Sequence, residues 1–371
     1  MLGPDGLHVL MTADAVGGVW TYALDLARGL AQHDVRTTLA VLGPPPEADA
    51  RAAITGVPGL SVVATGLPLD WTASEPDQVL AAGRTVAALA RELEVDLVHL
   101  NSPALAAEGV FDRPAIGVCH SCVATWWTAV RGGPLPPDFR WRADLVRRGY
   151  AGVDALVAPS NSFARATADA YDLPSAPRVV VNGRAPLAAV PHGTDHGEQA
   201  VLTAGRLWDE GKNLATLDRA AARLPIPVFA AGPTRGPNGA AIEFAHLRVE
   251  GAMSGAALGR RLARRPIFVS LARYEPFGLA VLEAAQAGCP LVLSDIPTFR
   301  ELWDGAARFV DPHDDCGCAR IVQALLDDRS KHDRLGAAAR DRSRIYTVER
   351  LAVGTVAAYR DALGTRRAAA A

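Results

Sequence analysis

The segment Arg273-Tyr274-Glu275-Pro276-Phe277-Gly278-Leu279-Ala280-Val281-Leu282-Glu283-Ala284-Ala285 decides how this chain reads. A β-like apolar run, Ile267 to Leu271, precedes it, and another, Leu291 to Leu293, follows it. Between them lies an Ala/Leu-rich helical segment that ends at Gly288, a residue suited to the C′ position. Pro276 and Gly278 punctuate the strand-to-helix turn, where the backbone bends sharply and a ligand can approach closely. The amides at Phe277, Gly278 and Leu279 open the helix, and free amides at a helix start attract an anion such as a phosphate. Glu275 sits in the turn, and Glu283 lies about one turn into the helix. Two carboxylates so placed could bracket a ligand that is anionic in the middle and rich in hydroxyls at both ends, as a nucleotide sugar is. Taken singly, either Glu also reads as a solvated charge that favours the helix dipole.

A length of 371 residues is long for one core and favours two domains. Apolar residues make up 49% and charged residues 21%, the balance of a soluble globular protein. The formal charge of −2 gives no reason to expect nucleic acid as a partner. No apolar run approaches the roughly 20 residues of a membrane span. The N-terminus runs early into His8-Val9-Leu10-Met11, a first strand, and lacks the basic-then-apolar layout of a signal peptide. The expected location is therefore cytoplasmic. Five cysteines, an odd number, argue against a disulfide framework. Cys119-His120-Ser121-Cys122 and Cys316-Gly317-Cys318 fall in different predicted domains, and neither has a second ligand pair at zinc-finger spacing. They read as buried or inert thiols.

Strand-like and helix-like segments alternate along the first half. Val9 to Met11 is a strand, followed by a loop over Thr12 to Gly18 and a helix from about Val19 with apolar residues at three-and-four spacing. Strands follow at Thr37 to Leu42, Leu60 to Ala64, Leu97 to Leu100, Ala115 to Cys119, Ala155 to Ala158 and Val179 to Val181. Helices fall at Asp77 to Leu93 and at Asn161 to Tyr171, with Ser160 as N-cap. Uniformly apolar strands belong in a parallel sheet covered on both faces, and such sheets bind ligands beyond the carboxyl ends of their strands. Gly17-Gly18 and His120 both fall at such ends. Residues 182–199 are rich in Gly, Pro, His and Ala and read as the interdomain linker.

The second half repeats the theme. Strands are expected at Val201 to Ala204, Val228 to Ala231, His246 to Val249, Ile267 to Leu271 and Leu291 to Ser294. Helices are expected at Asn213 to Leu224, Ser254 to Ala263, near Phe299 to Trp303, Asp314 to Leu326, His332 to Arg344 and Val348 to Leu363. No G-x-G-x-x-G follows the first strand, which disfavours a dinucleotide-dependent, hydride-transferring enzyme.

Several side chains could carry chemistry. Arg206 and Lys212 flank the loop opening the second domain's first helix, where a guanidinium and an ammonium would neutralise a diphosphate. They also read as surface charge, but positive charge at a helix N-terminus opposes the dipole, which favours a functional role. With both on phosphate, no Mg²⁺ need be invoked, and no D-x-D lies on a suitable loop. No metal and no cofactor are expected. His120 ends a buried strand, and a lone His there can also be a satisfied structural residue. Gly17 and Gly18 supply a backbone that a ligand can touch. Trp126, Trp127, Phe139 and Trp141 interleave with Arg131, Arg140, Arg142, Arg147 and Arg148. Region 126–148 could dock a lipid-linked acceptor or an anionic membrane face. The bland alternative is a helix–loop packed by Trp with solvated Arg.

These motifs converge on one resemblance. The chain resembles the retaining GT-B glycosyltransferases of family four, a group that includes sucrose-phosphate synthases and bacterial cell-wall mannosyl- and glucosyltransferases. The most specific mark is the E-x7-E motif, Glu275 to Glu283, supported by Gly205-Arg206, Ala155 to Ser160, Asn182-Gly183 and Ala287-Gly288-Cys289-Pro290. The resemblance implies an α/β, GT-B fold: two Rossmann-like parallel-sheet domains facing across a cleft. Residues 1–185 would form the acceptor-side domain, joined by a C-terminal helix at 348–365, and residues 198–347 the nucleotide-sugar-binding domain. By resemblance, Glu275 holds donor-sugar hydroxyls, Glu283 holds the ribose, and Arg206 and Lys212 bind the diphosphate. His120 lies over the donor sugar, and Gly17-Gly18 lie at the donor phosphate and acceptor side. Three departures stand out. Leu271-Ala272 replaces the usual Pro-Ser, Lys212 lies six residues after Arg206, one more than the commonest spacing, and Val19-Trp20 is an unusually bulky start after the glycines.

The implied reaction moves a hexose from a UDP- or GDP-linked donor to an acceptor hydroxyl with retention of configuration. The product would belong to cell-envelope polysaccharide, glycolipid or small-glycoside synthesis. Two rivals remain at this stage: a sugar-nucleotide epimerase on the same two-sheet plan, and a non-catalytic nucleotide-sugar-binding subunit. Selection of the base would rest on backbone contacts near Val249 to Met253.

Overall fold

Most strand-forming runs of this chain are apolar, which suits sheets buried on both faces, and two such sheets form. The computed structural model of the chain describes residues 6–15, 17–46, 48–187, 199–237 and 239–370. It divides into two units, Met1–Gly183 with Thr347–Ala371, and Arg184–Tyr346. Most of the linker expected at 182–199, residues 188–198, lies outside the described residues.

The first unit runs β1 (Leu7–Asp14), α1 (Gly18–Ala31), β2 (Val35–Leu42), α2 (Ala48–Ala52), β3 (Leu60–Ala64), α3 (Pro76–Glu92), β4 (Leu97–Leu100), β5 (Ala115–Val118), α4 (Val123–Val130), α5 (Pro137–Ala151), β6 (Ala155–Ala158), α6 (Asn161–Tyr171) and β7 (Arg178–Val179). Its strands are parallel in the order β3-β2-β1-β4-β5-β6-β7. The second unit runs β8 (Val201–Ala204), α7 (Leu214–Ala221), β9 (Val228–Ala231), β10 (Arg248–Gly251), α8 (Gly255–Ala263), β11 (Ile267–Ser270), α9 (Leu279–Gln286), β12 (Leu291–Ser294), α10 (Pro297–Trp303), β13 (Arg308–Val310), α11 (Asp315–Leu326) and α12 (Arg329–Ser343). Its parallel order, β10-β9-β8-β11-β12-β13, repeats the plan of the first sheet. Both are doubly wound, Rossmann-like sheets whose order reverses beside their first strand, between β1 and β4 and between β8 and β11.

The last helix, α13 (Val348–Ala370), belongs to the first unit. Its Leu351, Val356, Tyr359 and Ala362 are buried in the same apolar cluster as Val9, Met11 and Leu26. A separate cluster around Val201, Leu217, Ile267, Val269 and Val292 forms the core of the second unit. No helix among the described residues is long and apolar enough to cross a membrane.

Several boundaries differ from the sequence reading for identifiable reasons. The strand expected at His246 to Val249 runs from Arg248 to Gly251. The Asp218 carboxylate accepts the backbone N–H groups of Ala245, His246 and Leu247, so those donors serve a side chain instead of a ladder. The helix expected from Asn213 begins at Leu214, because Asn213 is left-handed at φ 57°. The 126–148 region is two helices, α4 and α5, rather than a helix and a loop. There the Arg142 guanidinium lies 4.2 Å from the Trp141 ring centre and donates to the Ala73 carbonyl, and Arg148 donates to the Ala107 carbonyl. Two arginines of the expected basic face thus tie α5 to its own unit.

Burial of α13 sets a stability prediction. Replacing the fully buried Leu351 by Ala is expected to cost about 2–5 kcal/mol. Val353, half exposed on the same helix, should change stability by no more than about 0.5 kcal/mol on replacement by Ala. Urea unfolding of the two variants checks this. Equal effects would show that the helix does not complete the core.

Candidate functional site

In the second unit the loop after β8 and the loop after β11 are fastened together by hydrogen bonds. Asn213 donates from Nδ2 to the Leu271 carbonyl at 2.8 Å and to the Pro312 carbonyl at 2.7 Å, while its Oδ1 accepts from Thr216. The Gly211 carbonyl accepts the backbone N–H groups of Arg273 and Tyr274. Ser294 at the end of β12 donates to the Ala272 carbonyl at 2.5 Å. Leu271-Ala272 therefore contribute backbone carbonyls to this fastening, which needs no particular side chain from either.

This fastening brings the sequence-predicted charges together. Lys212, in a 3-10 turn over Glu210–Lys212, places Nζ 2.5 Å from Glu275 Oε2. Arg206 pairs with Asp209 at 3.0 Å, and Asp209 also accepts the Gly211 N–H. The Nε of Arg206 is buried and has no partner among the described residues. Each of the two cations is balanced by a carboxylate, and Asp209 was not foreseen. Phe277 is buried and packs edge-on against Tyr346, with ring centres 5.7 Å apart. Gly278 caps α9 with φ 92°, a conformation open to glycine at little cost, and Leu279 begins the helix. The first amides of α9 lack intrahelical acceptors.

Glu283, the fifth residue of α9, is buried and forms an ion pair with Arg184. The backbone of Arg184 is held at both ends: its N–H donates to the Tyr346 carbonyl, and its own carbonyl accepts from Gln286. Sequence reasoning stopped one residue short of Arg184, at Asn182-Gly183. Its pairing across a hundred residues left no local signal.

In the first unit the carboxyl ends of β1, β4 and β5 meet in a polar cluster. Gly17 caps α1 with φ 93°, and Gly18 is the first helical residue; both are exposed. From α1, Tyr22 packs edge-on against His120, with ring centres 4.5 Å apart. Nε2 of His120 lies 2.8 Å from Asn101 Oδ1, and Nε2 of His99 lies 3.2 Å from the same oxygen. Nδ1 of His99 lies 2.8 Å from the Tyr359 hydroxyl of α13. Asn101 donates from its backbone N–H to Thr12 Oγ1 and from Nδ2 to the Thr12 carbonyl. Burial pushes the His99 ring down to about 3 and the His120 ring down to about 4, so both are neutral near pH 7. Cys119 is buried and Cys122 half-buried, and burial raises both thiols, that of Cys119 to about 12.

The depressed rings give acid sensitivity a defined sign. Between about pH 6.5 and about pH 3 the unfolded chain binds a proton at position 99 that the folded chain refuses. Stability from this ring is therefore complete above about pH 6.5 and falls with acid, by up to about 1.4 kcal/mol per pH unit. In His99→Gln that dependence is absent. The stability gap between wild type and His99→Gln, measured by urea unfolding at about pH 7 and about pH 5, is expected to narrow at the lower pH. A widening gap would contradict the burial of a neutral ring.

Comparison with known proteins adds a lineage to this geometry. The model of Glycosyltransferase Family 4 matches residues 16–186, and that of Glycosyl transferases group 1 matches residues 189–342. Over 83 residues the chain is 42% identical to a glycogen synthase of Mycobacterium tuberculosis, a stretch that makes up 22% of this chain and 20% of that protein. Over 62 residues it is 42% identical to O-antigen chain mannosyltransferase B of Escherichia coli, 16% of either chain. The curated relatives are thus matched over a fifth of their length or less. Among solved structures, sucrose-phosphate synthase from Thermosynechococcus elongatus superposes with a TM-score of 0.78 at 17% identity, covering 97% of this chain and 100% of that one. HepE of Anabaena, in complex with UDP and glucose, gives 0.69 at 16% identity, covering 95% and 98%. With one family model on each of its two Rossmann-like units, the chain belongs to the GT-B glycosyltransferases of family four, group one.

Proposed function

We propose that this glycosyltransferase moves a hexose from a nucleoside diphosphate sugar to an acceptor hydroxyl with retention of configuration, and that it needs no divalent metal. The carrying observation is the Lys212–Glu275 ion pair at the entrance to α9, beside Arg206 and its unpartnered Nε. That pair sets an ammonium and a carboxylate side by side. A diphosphate would take the ammonium and the first amides of α9, and sugar hydroxyls would take the released carboxylate oxygens. Glu283, also a paired carboxylate, would receive the ribose hydroxyls from the same helix. A UDP-linked donor is the first choice because HepE, similar in fold, has been crystallised with UDP-glucose. A GDP-linked donor is the second.

In the proposed step the bond between the anomeric carbon and the phosphate oxygen breaks, and the bond to the acceptor oxygen forms on the same face. The acceptor proton passes to the leaving phosphate oxygen. Negative charge grows on the diphosphate, and Lys212 and Arg206 stabilise it. Loss of one such preorganised contact typically costs about 10²–10³ in rate, roughly 3–4 kcal/mol.

A thermal-shift panel of UDP-glucose, UDP-galactose, GDP-mannose and ADP-glucose, each with EDTA, tests donor binding, since a ligand that binds only the folded state stabilises it. One sugar nucleotide is expected to raise the melting temperature with EDTA present, and Glu283→Ala is expected to abolish that rise. With that donor, Lys212→Ala should lower kcat about 10²–10³-fold, and proton NMR should show the donor's anomeric configuration in the product. An inverted product, or an unchanged shift in Glu283→Ala, would sink the assignment. Release of an altered sugar nucleotide without acceptor would favour the epimerase reading.

A further inference from the structure

The ion pair between Arg184 and Glu283 joins two distant segments of the chain, and its surroundings hold the arginine in place before any ligand arrives. The Arg184 N–H donates to the Tyr346 carbonyl at 3.2 Å, and the Arg184 carbonyl accepts from Gln286 Nε2 at 2.8 Å. Tyr346 is itself fixed. Its hydroxyl donates to the Leu302 carbonyl at 2.8 Å, and its ring centre lies 5.7 Å from that of Phe277 and 5.5 Å from that of Trp303. From this anchored backbone Nη1 of Arg184 meets Oε1 of Glu283. Both side chains are withdrawn from water, Arg184 to 16% exposure and Glu283 to 6%. A glutamate with three side-chain torsions has no fixed direction of its own. Here a rigid cation supplies one. Oε1 keeps a second lone pair and Oε2 keeps two, so the paired carboxylate still accepts from hydroxyls.

We infer that Arg184 is a positioning residue for nucleotide recognition: it holds the Glu283 carboxylate at one angle, so that the remaining lone pairs meet two neighbouring hydroxyls, the diol of a ribose. This inference rests on the donor role proposed for Glu283 above and adds the residue that sets its direction. Every group involved belongs to the second unit, as do Arg206, Lys212 and the start of α9. A nucleoside diphosphate without its sugar is therefore a sufficient probe. Without the guanidinium, the carboxylate would spread over several rotamers and gain little from a second hydroxyl. The loss is then one of discrimination between ribose and deoxyribose, whereas affinity for phosphates, served by Arg206 and Lys212, stays. An ion pair that only fastened residue 184 to α9 would affect stability and leave that discrimination alone.

Isothermal titration calorimetry on the full chain tests this, with UDP, GDP and ADP, their 2′-deoxy and 3′-deoxy forms, and inorganic pyrophosphate as probes. One of the three nucleotides is expected to bind wild type about 10–150-fold more tightly than at least one of its deoxy forms, the worth of a hydroxyl's bond to a charged group. In Arg184→Met that ratio should fall by at least about fivefold, with pyrophosphate affinity unchanged. An unchanged ratio in folded Arg184→Met would reduce the ion pair to a fastening and overturn the inference. Arg184→Lys keeps the charge that balances Glu283, but sets a point charge on a mobile stem in place of a planar fork. Its ratio should also fall, and where Arg184→Met does not fold, a wild-type ratio in Arg184→Lys overturns the inference. A wild type that binds a nucleotide and both of its deoxy forms alike would remove the ribose role of Glu283, and the inference with it. Failure of all three nucleotides to bind would count against the proposed function itself, on which the inference stands.

Discussion

A parallel sheet buried on both faces has no place for polar chemistry except at the ends of its strands, and this constraint organises both units. At each reversal of strand order two neighbouring strands send their chains apart, and the gap between the exit loops must be closed by something that hydrogen-bonds to bare backbone. An asparagine does this in each unit. Asn101, after β4, donates its amide to the Thr12 carbonyl of β1. Asn213, in the segment after β8, donates its amide to the Leu271 carbonyl after β11. Each then uses its oxygen to accept, Asn101 from two histidines and Asn213 from Thr216 at the start of α7. The candidate residues stand beside these closures.

The two units differ in how they keep polar groups stable. In the second unit the groups are charged and paired: Lys212 with Glu275, Arg206 with Asp209, Arg184 with Glu283. A charge removed from water is costly unless it is paired, so such a site is not a set of bare charges waiting for a ligand. A ligand that displaces one partner of such a pair must offer the other a group of the same kind, an anion for the cation or donors for the carboxylate.

Much of this arrangement was legible in the sequence; β13 and the short α2 escaped it, as did residues whose partners lie far along the chain. Ser160 caps α6, and Gly288 stands just past α9 with φ 79°, because capping is decided within a few residues. Apolar runs located nearly all strands for the same reason. The β10 strand was misplaced because Asp218, some thirty residues away, takes its first donors. Arg184, Asp209, Asn101 and His99 went unnoticed because each acts through a partner that only the fold supplies. Arg206 and Lys212 were recognised as cations, but their carboxylates were not seen as their counterweights. Residue types report what a group can do, and partners decide what it does.

That distinction bears on why the first unit was the harder half to read. Charges announce themselves in a sequence, whereas a neutral relay is built from residues that are ordinary core members elsewhere. His99 and Tyr359 lie 260 positions apart and are both fully buried, and nothing in either neighbourhood separates them from packing residues. The single orientation open to the Asn101 amide makes both histidine rings donate to its one oxygen. Among the candidate residues, the charged pairs lie in the second unit and the uncharged hydrogen-bonded cluster in the first. The two kinds of group favour opposite surroundings, pairing for the first and dry neutrality for the second, and housing them in separate sheets lets each have its own.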